Sequence, residues 1–179
     1  MIITESKPRT RQFYLRQERS DSDYGTCLWA AITFDLDRYS MTAESDCGNY
    51  AYCWTPTPQS ESFLRLMCRV DQDYLLRKIS AQSVFNLEES KKMTLSALDD
   101  SEVTGELREE IMDIEAYGDE MFYHECGDVL NRHGVHYDFE TIECAKEYPR
   151  GAVKFAEIFC QSLQPYLREL VKREEADHE

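Results

Sequence analysis

The residues whose type and spacing could do chemistry form a carboxylate-rich run at positions 101–128. Ten Asp and Glu side chains in this run accompany one basic residue, Arg108. Four of the acids follow helical spacing, at Glu106, Glu109, Glu110 and Asp113. Like charges at this spacing destabilise a helix by roughly 0.2–0.5 kcal/mol per pair, whereas mixed charges would give solubility without that cost. The run therefore favours a surface that meets a basic partner.

The chemistry that such a helix face could perform is recognition of a basic groove. Carboxylates one helical turn apart lie roughly 5 Å from one another, which is similar to the phosphate spacing of a nucleic acid. We therefore predict that the face occupies a lysine- and arginine-lined groove that normally holds DNA or RNA. The predicted partner-binding residues are Glu102, Glu106, Glu109, Glu110, Asp113, Glu115, Asp119 and Glu120. A solvated face that serves only solubility is the simpler alternative.

A second candidate set consists of imidazole and thiol groups, which are ligands suited to zinc. Its members are His124, Cys126, His133 and His136. Their spacing matches no established zinc motif, and residues two apart on a helix point to different sides. A small metal-binding or hydrolytic enzyme that uses these four residues is an alternative function. Nucleophile-elbow, phosphate-loop and HExxH motifs are absent from the sequence, so we expect a non-enzymatic protein without cofactor or metal.

The elements that must position these residues start with a three-stranded antiparallel meander between Cys27 and Trp54. Apolar and mixed residues alternate from Cys27 to Leu36, as in a strand with one buried face. Turns are predicted at residues 35–38 and 46–49, and Gln12–Arg16 is predicted to pair at the edge of the sheet. Since a sheet that is apolar on one side needs a cover, we predict an α+β fold with helices on one face.

The chain after the meander is predicted to be mainly helical. Thr57 is the expected N-cap of the first helix, with Pro58 at its first position. A short additional strand is expected at Val135–Phe139, and Pro165 is expected to kink or split the last helix. We predict one domain over residues 1–179, with residues 1–54 mainly β and residues 57–175 mainly α.

Composition narrows the class of protein. The formal net charge of −15 repels nucleic acid and attracts basic surfaces. An apolar run long enough to cross a bilayer is missing, and the first residues do not form a signal peptide, so we expect a protein of the bacterial cytoplasm that binds neither membrane nor nucleic acid. Seven cysteines without a CxxC pair are expected to be reduced, partly buried thiols.

Three segments, DYGTCLWAAITFDLDRYS, SDCGNYAYCW and SESFLRLMCRVDQDYLLRKIS, resemble uncharacterised small proteins of bacterial phages and prophages. This resemblance carries no activity. In size and charge alone, the chain is similar to phage anti-defence inhibitors, including anti-CRISPR proteins, several of which imitate nucleic acid or plug a basic groove. The similarity in size and charge implies, as an expectation, an inhibitor whose partner is a CRISPR effector or another nuclease of the host.

Aromatic side chains that gather in the sheet region suggest a further alternative. They include Tyr14, Trp29, Tyr50, Tyr52 and Trp54, and those on a face that helices leave uncovered could anchor a protein partner. A phage structural or assembly protein is therefore the third candidate function. A homodimer formed through this face is possible on the same grounds.

Overall fold

The computed structural model describes residues 1–21, 24–56, 61–99, 101–138 and 140–177. The chain forms two compact units. Unit 1 comprises Met1–Ala81 and Tyr148–Glu179, and unit 2 comprises Gln82–Glu147. The single domain over residues 1–179 stays a prediction, because compactness alone does not show whether either unit folds by itself.

The described residues contain six strands and seven α-helices. The strands are β1 (Thr10–Arg16), β2 (Trp29–Asp35), β3 (Ser40–Ser45), β4 (Gly48–Cys53), β5 (Val84–Phe85) and β6 (Lys146–Glu147). The helices are α1 (Phe63–Met67), α2 (Gln72–Ile79), α3 (Leu87–Ala97), α4 (Gly105–Asp113), α5 (Asp119–Arg132), α6 (Arg150–Ile158) and α7 (Gln164–Ala176). This composition of elements confirms the predicted α+β class.

The sheet of unit 1 is antiparallel throughout, in the order β1-β2-β3-β4. The predicted meander and the predicted edge strand are therefore both present. Ala30, Ile32 and Phe34 of β2 are buried on one face, as the alternation of the sequence indicated. Helices cover this face, because α1, α2, α6 and α7 contribute to the same buried cluster.

The two turns of the meander form where the sequence placed them. The Asp35 carboxylate accepts hydrogen bonds from the backbone N–H groups of Asp37 and Arg38, each at 3.0 Å. At the second turn, Gly48 has a φ of 135°, a conformation that side chains other than glycine rarely adopt. Cys27 and Cys47 form a disulfide across the sheet end, so the expectation of reduced thiols is wrong for these two cysteines. The other five are free.

The helices of unit 1 begin and end at identifiable signals. Ser62 caps α1, whereas the predicted cap residues Thr57 and Pro58 lie outside the described residues. One π-helical turn, Phe159–Leu163, separates α6 from α7. Pro165 explains it, because a proline has no N–H to donate to the carbonyl of Gln161 and the helix must locally rearrange. The predicted split of the last helix is confirmed.

Unit 2 is built on α3, α4 and α5, with the short β5–β6 pair beside them. Its buried cluster includes Leu107, Ile111, Phe122, Cys126 and Leu130, all at 0% exposure. Side chains at this spacing form one apolar stripe on α4 and another on α5, and the two stripes are buried where the helices pack together. The opposite sides of both helices are left to solvent.

The strand predicted at Val135–Phe139 is wrong for residues 135–138, which lie in no strand; Phe139 lies outside the described residues. The backbone at the start of this segment instead forms the C-terminal cap of α5. Gly134 has a φ of 68°, and Val135 donates its N–H to the carbonyl of Leu130 at 3.0 Å. This is the hydrogen-bond pattern of a helix C-terminus closed by a left-handed glycine.

Lys91 is a buried cation that joins α3 to α4. Its side chain is 6% exposed, and its Nζ donates to the Met112 carbonyl at 2.7 Å and lies 3.3 Å from Glu88 Oε1. We expect Lys91→Met to lower the free energy of unfolding by about 1–3 kcal/mol, because the carbonyl at the end of α4 loses its donor. Urea denaturation measures this change.

The neighbouring Lys92 supplies the matched control. Its Nζ lies 3.4 Å from Glu89 Oε2, but its side chain is 64% exposed. An exposed pair of this kind contributes about 0–1 kcal/mol, so Lys92→Met should be close to the wild type. Equal effects of the two substitutions would show that the Lys91 contact does not stabilise the junction.

Candidate partner-binding surface

The negative charge of the chain is concentrated in unit 2. Its 66 residues contain 18 Asp and Glu against five Lys and Arg, a formal net charge of −13. Unit 1 contains 17 acidic and 15 basic residues, a formal net charge of −2. A charge needed only for solubility could be spread over both units, so the concentration marks unit 2 as the part that would interact with a basic partner.

The central acids of the predicted set lie on the solvent side of α4. Thr104 starts this helix, because its Oγ1 accepts a hydrogen bond from the Leu107 N–H at 3.1 Å. Glu106, Glu109 and Asp113 follow at positions i, i+3 and i+7 and are exposed. The buried residues Leu107 and Ile111 fix the orientation of the helix, and this leaves the three carboxylates on the opposite, outward side.

Three further predicted acids flank this helix and are also exposed. Glu102 precedes α4, Glu115 lies between α4 and α5, and Glu120 is in the first turn of α5. None of the six carboxylates forms an ion pair with another described residue. We call this group the unpaired acids: Glu102, Glu106, Glu109, Asp113, Glu115 and Glu120.

Glu110 differs from its neighbours because it is engaged within unit 2. Its Oε1 lies 3.0 Å from His133 Nε2, and its Oε2 lies 2.8 Å from Arg132 Nη1. The second contact is an ion pair without hydrogen-bond geometry. The hydrogen bond from His133, followed by the charge of Arg132, holds the pKa of Glu110 below its usual value. This carboxylate joins α4 to the end of α5, and its role toward a partner stays a prediction.

We expect Glu110→Gln to weaken the pH dependence of stability in the acid range. The pKa of Glu110 is lower in the folded protein than in the unfolded chain. Its contribution is therefore fully present above the ordinary glutamate pKa and is lost as the pH falls through the lowered one. Melting temperatures measured from pH 6 to about pH 3 should fall more steeply for the wild type than for the variant. The exposed Glu109→Gln is the control, and a wild-type-like profile for Glu110→Gln would contradict the assignment.

Asp119 is the other predicted site residue that has a cation of its own chain. Lys146 Nζ lies 3.1 Å from its Oδ2, and this hydrogen bond is the main reason why the pKa of Asp119 is lowered. The contact connects the start of α5 to β6. Six of the eight predicted acids are thus unpaired in the described structure, and two are ion-paired.

The outer side of α5 adds two acids that the predicted set did not include. Glu125 and Asp128 are exposed, while Phe122, Cys126 and Val129 of the same helix are buried. Both acids belong to the carboxylate-rich run. Their positions in the helical repeat fall outside the apolar stripe of α5, and this spacing was the sequence signal that could have identified them as exposed.

Comparison with known proteins places the chain in a family. Residues 4–169 match the family Phage_phiTE_072, which is described as a phage family. The chain belongs to this phage family. No curated protein and no solved structure matches it. The family confirms the predicted resemblance to phage proteins but names no activity, so the similarity to anti-CRISPR proteins gains no support from it.

The alternative histidine and cysteine set is dispersed in this phage protein. His124 and His136 are exposed, His133 contacts Glu110, and Cys126 is buried at 0% exposure. Burial raises the pKa of the Cys126 thiol to about 12, so the thiolate needed for metal binding or nucleophilic attack is disfavoured at neutral pH. Among the described residues, these four do not gather into a group of metal ligands.

One group of three potential ligands does occur in the described part of the phage protein, at Cys27, Asp46 and Cys47. The two sulfurs are joined to each other as a disulfide. The Asp46 carboxylate accepts hydrogen bonds from the backbone of Leu28 at 2.9 Å and of Trp29 at 3.3 Å. These contacts tie the hairpin of β3 and β4 to the start of β2, which is a structural role.

Among the described residues, none of the helices has the length and the apolar character that spanning a bilayer requires.

Proposed function

We propose that this phage protein is a non-enzymatic binding protein that inhibits a bacterial protein by occupying its basic, nucleic-acid-binding groove. The observation that carries the proposal is the net charge of −13 in a unit of 66 residues, with six exposed carboxylates that form no ion pair with any residue the structure describes. A CRISPR effector or another nuclease of the host is the class of partner that offers such a groove.

The physical basis is that the unpaired acids can gain partners in a complex without losing internal ones. At physiological ionic strength, exposed charges are screened beyond about 8 Å, so attraction at longer range is weak and direct contact with Lys and Arg is required. Opposite potentials also speed association and exclude wrong partners. The same negative charge repels nucleic acid from the phage protein. A nucleic acid should therefore not bind the phage protein and should instead compete with it for the partner's groove.

The experiment is affinity capture from a bacterial lysate with the full chain as bait. We expect the captured protein to carry a basic groove, to be released as NaCl is raised, and to be displaced by duplex DNA or by RNA. Capture that resists both salt and nucleic acid would contradict the proposal, and so would a partner whose contact surface is acidic or apolar.

A charge-matched pair of baits separates a specific surface from net charge alone. One bait carries Glu106→Gln, Glu109→Gln and Asp113→Asn in unit 2. The other carries Glu5→Gln, Glu18→Gln and Glu44→Gln, three exposed acids of unit 1. Both baits lose three negative charges, but only the first should lose the partner. Equal losses would show that total charge, rather than the unpaired acids, determines capture.

A further inference from the structure

The outer edge of β1 is an open strand edge. Arg9 accepts a hydrogen bond from Leu36 N–H and Gln17 donates one to the Leu28 carbonyl, both at 2.9 Å. These contacts flank β1 on either side and fix its phase, since facing residues in an antiparallel pair alternate between bonded and non-bonded. The odd-numbered residues of β1 therefore bond to β2, and the even-numbered ones direct their N–H and C=O groups outward. These are Thr10, Gln12, Tyr14 and Arg16.

No other described strand pairs with this edge, because β1 is the terminal strand of its sheet. An edge of seven residues whose outward donors and acceptors pair with no other strand in the described part of the chain is a template for another strand. Its flanks are aromatic: Tyr14 is 67% exposed on the side of the sheet without helices, and Tyr166 of α7 is 58% exposed on the helical side. The Tyr166 ring lies 6.0 Å from the ring of Phe13, at the middle of β1.

Two grooves lie at the two ends of β1, on the helical side of the sheet. The larger, of about 930 Å³, is lined by Arg11 together with the apolar Leu36, Phe63 and Val171. The smaller, of about 620 Å³, is lined by Leu15, Arg16, Asp21 and Glu157, and the Glu157 carboxylate lies 3.2 Å from Lys154 Nζ. Arg11 is itself ion-paired with Glu174, so the larger groove is partly apolar beside an Arg–Glu pair, and the smaller groove has a Lys–Glu pair beside Leu15.

We propose that the outer edge of β1 pairs with β1 of a second copy of the chain, antiparallel and around a two-fold axis at Phe13. Gln12 then faces Tyr14 of the second copy, and Thr10 faces Arg16 of the second copy. Each facing pair exchanges two main-chain hydrogen bonds, which uses all of the outward donors and acceptors of β1.

The same register places side chains of the second copy at the ends of β1 where the two grooves lie. Leu15 of the second copy comes opposite Arg11, next to the apolar lining of the larger groove. Arg11 of the second copy comes opposite Leu15, at the end of β1 where Glu157 lines the smaller groove, and Arg11 and Glu157 keep their own partners, Glu174 and Lys154. Like charges do not face each other at any of the seven strand positions. This self-complementary register, in which Thr10 faces Arg16, Arg11 faces Leu15 and Gln12 faces Tyr14, favours a second copy over an unrelated extended peptide.

The test is the mass of the full chain in solution, measured by sedimentation equilibrium over a range of concentrations. We expect the wild type to approach twice the monomer mass of 21.0 kDa. Gln12→Pro should return it to the monomer, because proline is tolerated where an edge-strand N–H points outward but cannot donate to a new strand. Gln12→Ala keeps the N–H and should remain a dimer.

A second variant leaves the backbone unchanged. Tyr166→Glu places a negative charge on each side of the predicted axis, at a position exposed enough to accept it, and should also shift the equilibrium to the monomer. A monomeric wild type at about 100 µM would overturn the proposal. A dimer that persists with native circular dichroism in both Gln12→Pro and Tyr166→Glu would overturn it as well.

Discussion

Neutralising Glu106, Glu109 and Asp113 together is expected to weaken binding to the captured partner by roughly 10- to 100-fold. The estimate assigns about 0.5–1 kcal/mol to each contact of an exposed charge, and every 1.4 kcal/mol changes an affinity tenfold. The loss should arise partly from slower association, because a charged surface steers its partner during encounter. Surface plasmon resonance on the purified partner gives both rates.

The same triple variant should bind its partner more weakly without being less stable than the wild type. The three residues sit one helical turn apart on α4, so their mutual repulsion disappears with the charges. We expect a melting temperature equal to or slightly above that of the wild type. A variant that binds weakly because it is unfolded would therefore be recognised from its melting temperature.

The control for affinity is the unit 1 variant with Glu5, Glu18 and Glu44 neutralised, which should bind within about threefold of the wild type. An equal loss of affinity in both variants would contradict a localised surface.

Replacing Phe34 with Ala is expected to lower the free energy of unfolding of unit 1 by about 3–5 kcal/mol. Phe34 is fully buried at the centre of the sheet. Its ring lies 5.5 Å from the ring of Phe13, 5.5 Å from Phe63 and 6.4 Å from Phe159. The truncation removes contacts to β1, to α1 and to the π-helical turn at once, and it leaves a cavity that these elements cannot fill together. Urea denaturation monitored by circular dichroism measures the loss.

Thr33 is the control for this substitution because it is the adjacent residue of β2 and points to the opposite face. It is only partly buried and lies in register with Thr42 of β3. Thr33→Ala should cost at most about 1 kcal/mol, which is the span of strand propensities. If Thr33→Ala destabilised the protein as much as Phe34→Ala, the buried face of the sheet would be assigned to the wrong side.

Local sequence patterns were sufficient for most of the fold. The alternation through Ala30, Ile32 and Phe34 identified the covered face, and Pro165 identified the break in the last helix. The strand expected at Val135 failed because its apolar residues resemble a strand, while the preceding Gly134 closes α5 and ties Val135 to that helix. Two local signals competed there, and the cap prevailed.

Contacts between residues far apart in the chain could not be predicted from local sequence patterns. Cys27 and Cys47 are 20 residues apart, and only the register of the meander brings them together. Glu110 has the same helical spacing as Glu106 and Glu109, yet the position of α5 gives it His133 and Arg132 as partners. For the candidate surface, the sequence therefore predicted the acidic character, and the structure separated unpaired from paired carboxylates.

The most direct test of the central claim is the dissociation constant of the complex with the captured partner, measured from about 50 to 400 mM NaCl. If unpaired carboxylates recognise a basic surface, the affinity of the wild type should fall steadily as salt rises, and the variant with Glu106, Glu109 and Asp113 neutralised should show a shallower dependence. An affinity that does not change with salt, or an identical dependence in the two proteins, would contradict recognition by these acids.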